Sequence, residues 1–125
     1  MRVIGLGVSC TVAHISAGSF AFSLQEFACL DDDTRVAFRS DRGCGFSHRP
    51  EGDPLQLAES ELLHHVSMAL LPDEGIEEDA GERLPFHEYS ELLGQIGISA
   101  SAGSLKSCPF IVDLAPEVRQ LIALQ

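Results

Sequence analysis

Apolar residues recur at every second position in three stretches of the first 47 residues, and this alternation limits the fold more than any other feature of the chain. The apolar positions are Ile4, Leu6, Val8, Cys10 and Val12 in the first stretch, Phe20, Phe22 and Leu24 in the second, and Val36 and Phe38 in the third. A period of two is typical of a strand with one buried face. We therefore predict a three-stranded antiparallel meander over about residues 3–47.

The register of this meander follows from the numbering of its apolar positions, which are all even. Residues that face each other across two strands share a side of the sheet, so paired positions must add up to an even number. Both hairpin loops should then contain an odd number of residues. One such pairing sets Val12 opposite Leu24, Val8 opposite Ala28 and Cys10 opposite Glu26. Because it keeps Cys10 away from Cys29, no disulfide between these two is expected.

The period changes from two to that of a helix after Phe46. Asp53-Pro54-Leu55-Gln56 has the acceptor, the first-turn proline and the glutamine of a helix start, and the apolar stripe that follows predicts a helix over about residues 54–71. A second apolar stripe begins at Phe86 and ends before Gly97. It predicts a second amphipathic helix over about residues 86–97.

The last part of the chain completes an α+β fold. Small residues indicate a mobile loop over 99–107, and the apolar run over about 108–112 predicts a short strand at a sheet edge, because Pro109 cannot donate to a ladder. Pro116 then begins a short helix over about residues 116–124. We expect residues 1–125 to form a single domain in which the strands pack against the helices.

Charge is segregated along the chain. Residues 51–91 contain twelve acidic residues and one basic residue, Arg83, so this stretch alone has the net charge of the whole chain, −11. Net charge bears on steering and partners rather than on fold. We predict an acidic partner-binding surface on and between the two longer helices, formed by Glu61, Asp73, Glu74, Glu77, Glu78, Asp79, Glu82, Glu88 and Glu91.

Several common functions lack their sequence signatures. Residues 5–10 begin like a dinucleotide-binding loop, but Cys10 replaces the third glycine and a strand pattern follows where a helix is needed. Motifs of hydrolases, phosphate loops, calcium loops and Cys-x-x-Cys metal sites are missing from the sequence. The acidic stretch would repel phosphates, and no apolar run approaches the roughly 18 residues that span a bilayer. We therefore expect no cofactor, no direct nucleic-acid binding and no membrane partner.

Two candidates for chemistry remain. A metal-dependent enzyme is one alternative function, with Cys44, His48 and His65 as candidate ligands, although no carboxylate at helical spacing supports them. Otherwise the cysteines are expected to be buried apolar residues.

Glu59 falls inside the apolar stripe of the first helix. A carboxylate there needs a partner, such as Arg39 or Arg42, or is a candidate catalytic acid.

In size, acidity and expected cytoplasmic location the chain resembles the immunity proteins that neutralise bacterial toxins, although it shares no motif with them. That resemblance, together with the acidic stretch, predicts a small cytoplasmic protein-binding module. Its expected role is that of an inhibitor that docks a basic protein such as a nuclease toxin. A further alternative is a regulatory subunit or homodimer, in which the acidity serves solubility alone.

Overall fold

Long β-strands occupy the first third of the chain because their alternating apolar residues bury one face against a layer of helices. The computed structural model describes residues 2–16, 19–47, 59–73 and 77–123. In chain order its elements are β1 (Val3–Ser16), β2 (Ser19–Leu30), β3 (Arg35–Ser47), α1 (Glu59–Ala69), a 3₁₀ turn (Glu77–Asp79), α2 (Phe86–Gln95), α3 (Ala102–Lys106), β4 (Phe110–Leu114) and α4 (Pro116–Ala123).

The four strands form one mixed sheet in the order β3-β2-β1-β4. The pairs β1–β2 and β2–β3 are antiparallel, and β4 lies parallel to β1 at the edge of the sheet. This confirms the predicted α+β fold with its meander and added edge strand. The edge strand begins two residues later than predicted, at Phe110, so Pro109 stands just before it.

The three predicted helices are present, and the structure adds a fourth, α3, that was not predicted. The second predicted helix ends at Gln95 rather than 97, and the start of the first, including the Asp53-Pro54 cap, lies outside the described residues. The predicted loop over 99–107 is wrong, because it contains α3. The Ser101 hydroxyl caps this helix by accepting from the Ser104 amide, and Leu105 is buried in the core.

The predicted pairing of β1 with β2 is wrong by two residues. Val8 lies opposite Glu26 and Cys10 opposite Leu24, so paired positions do add up to an even number through the body of the hairpin. A register shift after Val12 then sets Ser16 opposite Ser19, and two residues lie between them instead of an odd number. This bulge absorbs the extra residue. In the β2–β3 hairpin Cys29 faces Arg35, so the predicted odd loop is confirmed.

The hydrophobic core lies between one face of the sheet and the helices. Its sheet side includes Leu6, Val8, Cys10, Phe22 and Leu24, and its helix side includes Leu62, Val66, Tyr89, Leu93, Leu105 and Val118. All four cysteines are free thiols, as expected for the Cys10 and Cys29 pair. Burial, reinforced by the nearby Cys44, raises the pKa of Cys10 to about 12, so this thiol is an inert apolar residue.

Candidate functional site

A fully buried carboxylate lies in the middle of the sheet's apolar face. Glu26 of β2 stands between the buried residues Leu24 and Ala28. Both of its oxygens are bonded: Arg39 donates Nε to Oε1 and Nη2 to Oε2, the latter at 2.8 Å, and the Tyr89 hydroxyl donates to Oε2. A buried charge needs this kind of compensation.

Two bulges in β3 bring Arg39 to this carboxylate. The paired residues are Phe27 and Ala37, then Glu26 and Arg39, then Leu24 and Arg42. Over this stretch β3 therefore holds two more residues than β2. The first extra residue turns the odd-numbered Arg39 toward the core, and the second returns even-numbered positions such as Arg42 to that side.

Helix α2 packs over the Glu26–Arg39 pair and bonds to both residues. Arg39 donates Nη1 to Glu88 Oε2 at 2.8 Å, and its Cζ lies 5.4 Å from the centre of the Tyr89 ring. The Phe38 ring packs edge-on against Tyr89, with 4.9 Å between the centres. We refer to Glu26, Arg39, Glu88 and Tyr89 as the Arg39 cluster. It joins β2, β3 and α2 through one guanidinium.

The electrostatics of the Arg39 cluster indicate that it stabilises the packing of α2 on the sheet rather than acting as a catalytic centre. Burial raises the pKa of Glu26, while the bonds from Arg39 and Tyr89 act in the opposite direction. Burial and the neighbouring Glu26 also raise the pKa of Tyr89 well above its usual range. Because Glu26 is fully buried and both oxygens are occupied, it presents no acid or base to a substrate.

Asp79 fixes the start of α2. Its Oδ1 accepts from the His87 amide at 2.8 Å and its Oδ2 from the Glu88 amide at 3.2 Å. These are amides of the helix's first turn, which Pro85 at the cap position leaves without a side-chain acceptor. The 3₁₀ turn that ends at Asp79 is therefore bound directly to α2.

Removal of the Asp79 carboxylate should weaken this attachment. We expect Asp79→Ala to lower the free energy of unfolding by about 1–2 kcal/mol, because two amides of the first turn lose their acceptor. Urea unfolding followed by circular dichroism measures this loss. Glu78→Ala is the matched control, since Glu78 is the exposed neighbour of Asp79, and an equal loss in both variants would contradict the capping role.

The structure divides the nine predicted partner-binding acids into groups. Asp79 is buried and so cannot face a partner, and Glu74 lies outside the described residues. Three acids pair with basic residues from other parts of the chain, at 2.6–2.8 Å: Asp73 with Arg42, Glu82 with Lys106, and Glu88 with Arg39. The four that remain exposed are Glu61, Glu77, Glu78 and Glu91, of which Glu91 lies 3.3 Å from the ring of His87.

Of the three candidate metal ligands, two lie among the described residues. Cys44 is half-buried in β3, His65 is exposed on α1, and His48 lies outside the described residues. The described part of the chain contains no group of three or more His, Cys, Asp or Glu side chains that could hold a metal ion. Glu59 is the first residue of α1, in line with the buried Val66 and Leu70 as predicted. It is exposed, however, so its carboxylate needs no partner, and Arg39 and Arg42 pair with other acids.

The Arg39 cluster is the feature that the sequence analysis missed. One signal was present: Glu26 occupies an even position on β2, in line with Phe22 and Leu24, and therefore had to face the core. Arg39 gave no comparable signal, because its odd number places it on the opposite face unless β3 contains a bulge.

Comparison with protein-family models, with curated proteins and with solved structures found no match for this chain. Among the described residues, no helix is long and apolar enough to cross a membrane.

Proposed function

We propose that this chain is a small cytoplasmic protein-binding module that docks a basic partner through exposed acids on the 3₁₀ turn, α1 and α2, in the manner of an inhibitor. The observation that supports this most strongly is the attachment of the 3₁₀ turn to α2 through buried Asp79, next to the exposed Glu77 and Glu78. The proposed contact set is Glu61, Glu77, Glu78 and Glu91.

The ion pairs within the chain sharpen this set. The cations that neutralise Asp73, Glu82 and Glu88 all come from outside the acidic stretch. The fold therefore neutralises part of the negative charge that the sequence concentrates in residues 51–91. Glu61, Glu77 and Glu78 have no cationic partner among the described residues, and these carboxylates are available to an external one.

Rigid presentation favours a docking role over simple solvation. A carboxylate on a fixed backbone loses less freedom on binding than one on an unrestrained loop. Asp79 supplies this restraint for its two neighbours, while the Arg39 cluster holds α2 against the sheet. Clustered charge on a rigid surface also steers association and fixes orientation.

The chemistry of such a surface suits one class of partner. Proteins that bind nucleic acid present Lys and Arg where phosphates sit, and carboxylates can occupy the same positions. A nuclease with a basic groove is therefore the partner we propose, and blocking of that groove is the proposed mode of inhibition.

The test separates local charge from total charge. We expect capture at low salt to recover a basic protein that is identified by mass spectrometry, and Glu77→Lys/Glu78→Lys to weaken the purified partner's binding by at least about tenfold. The control variant Asp31→Lys/Glu117→Lys changes the net charge by the same amount as Glu77→Lys/Glu78→Lys. Its two acids are exposed and lie elsewhere, Asp31 in the loop between β2 and β3 and Glu117 in α4. Equal weakening by both variants, or capture of no basic protein, would refute the proposal.

A further inference from the structure

An apolar cleft of about 180 Å³ opens between α1 and the edge strand β4. Its walls are Leu63, Val66 and Leu70 from α1, Leu84 from the segment before α2, and Phe110 and Val112 from β4. Leu63 is 36 % exposed, so the apolar lining of the cleft continues to its rim. The cleft is smaller than the roughly 300–1,000 Å³ of small-molecule pockets, and it fits a few aliphatic side chains.

The backbone groups of β4 alternate between the side that faces β1 and the side away from it. Pro109 O accepts from the Leu6 amide at 2.9 Å, and the Ala115 amide donates to Cys10 O at 3.0 Å, so odd-numbered positions point their backbone groups at β1. Because backbone groups alternate along a strand, Phe110 and Val112 point theirs outward. No described residue forms a backbone hydrogen bond to them on that side.

The length of this open edge is limited. At its far end the Leu114 carbonyl already accepts from Arg119 Nε at 3.2 Å. Two residues, Phe110 and Val112, are therefore left to pair with an added strand. Such a short edge suits the end of a chain better than the middle of a long strand.

The charge at the cleft indicates which end of a bound chain, amino or carboxyl, it would favour. Arg83 lines the cleft, is exposed, and is the single basic residue of the acidic stretch 51–91. No acid among the described residues pairs with it. A carboxylate that enters the cleft would meet Arg83, whereas every other charged residue of the stretch 51–91 is an acid.

We propose that the cleft and the β4 edge bind the C-terminus of another protein as an added strand. The backbone of the bound segment pairs with Phe110 and Val112, its alternate apolar side chains enter the cleft, and its terminal carboxylate pairs with Arg83. Strand addition of this kind takes affinity from backbone bonds and specificity from alternate side chains. This site is separate from the acidic contact set of the proposed function.

The probe is a fluorescein-labelled hexapeptide, Gly-Ser-Thr-Val-Thr-Val with a free C-terminus, titrated with the full chain and followed by fluorescence anisotropy. We expect saturable binding that becomes about tenfold weaker when the peptide ends in an amide, since a charge-assisted bond to Arg83 is lost. Arg83→Gln should weaken binding of the free acid and abolish its advantage over the amide.

A second variant tests the backbone pairing. Val112→Pro removes an outward amide without touching the ladder to β1, and should abolish peptide binding, whereas Val112→Thr keeps the amide and should retain it. In the unmodified protein, the peptide should slow hydrogen exchange at the Phe110 and Val112 amides, a measurement that does not depend on the proline variant folding. No binding of the free-acid peptide, equal binding of acid and amide, or unchanged exchange would overturn the proposal. Glu77→Lys/Glu78→Lys should leave peptide binding unchanged, which separates this site from the acidic one.

Discussion

Replacement of Arg39 by methionine is expected to lower the free energy of unfolding by about 3–5 kcal/mol, because it leaves the Glu26 carboxylate buried without its cation. Glu26 would lose the two N–H donors of Arg39 and keep the Tyr89 hydroxyl alone. Methionine retains much of the apolar volume of the arginine stem, so the loss reports charge rather than a cavity. Urea unfolding at pH 7.5, followed by circular dichroism, measures it.

The pH dependence of this loss has a definite sign. Burial raises the pKa of Glu26 and Arg39 acts against that rise, so the pKa should increase further in Arg39→Met. An acid whose pKa is higher in the folded state binds its proton more tightly there. Stability then falls as the pH rises from the unfolded value of about 4.3 through the folded pKa. The deficit of the variant should therefore be larger at pH 7.5 than at pH 4.5.

A neutral pair supplies the control for this prediction. In Glu26→Gln/Arg39→Met an amide replaces the carboxylate and can still accept from the Tyr89 hydroxyl. The deficit of the double variant should be smaller than that of Arg39→Met and nearly constant between the two pH values. A loss below about 1 kcal/mol at pH 7.5, or a loss in Arg39→Met that does not change with pH, would show that the pair contributes little.

The strands could be predicted from the sequence because alternation reports burial directly. The even numbering of Leu6, Val8 and Cys10 also gave the correct parity for the body of the β1–β2 hairpin. The exact pairing could not be predicted, because a slip of two residues keeps every apolar side chain on the same face. The bulges could not be predicted for a related reason. A single extra residue, after Val12 in β1 or at Phe38 in β3, leaves a regular alternation of apolar residues on either side of it.

The candidate site was predictable to a lesser degree, because its contacts join residues far apart in sequence. The acidic stretch was visible, but its cations Arg39, Arg42 and Lys106 lie in β3 and α3. Local sequence also could not show that Asp79 is a helix cap, since it precedes the amides of His87 and Glu88 by eight and nine positions rather than by two or three. The fold alone brings these groups together.

The face of the sheet opposite the core depends on a close approach at Gly7. A Cβ atom placed there would lie 2.5 Å from Phe27 Cζ, 2.7 Å from Ile111 O and 2.8 Å from Ile111 Cγ1. Phe27 is held in turn by Arg35, whose Cζ lies 4.4 Å from the ring centre and whose Nη1 binds Asp113 of β4 at 3.1 Å. The ring therefore has limited room to move away.

We expect Gly7→Ala to lower the free energy of unfolding by about 3 kcal/mol, the upper part of the range for overpacking, as measured by urea unfolding. The matched control is Gly94→Ala in α2, where a Cβ meets nothing within 4 Å. It should be neutral or stabilising by about 0.5–1 kcal/mol, because alanine loses less backbone entropy in a helix.

A second substitution separates the two clashes at Gly7. Phe27→Leu removes the Cζ atom, so Gly7→Ala should be less harmful in that background, but the Ile111 carbonyl remains in the way. Relief of that second contact requires β4 to move away from β1. Hydrogen exchange at the Ile111 and Asp113 amides, which face β1, should therefore quicken in Gly7→Ala and stay fast in Gly7→Ala/Phe27→Leu. Full recovery of stability in the double variant would instead place the whole clash on the Phe27 ring and leave β4 undisturbed.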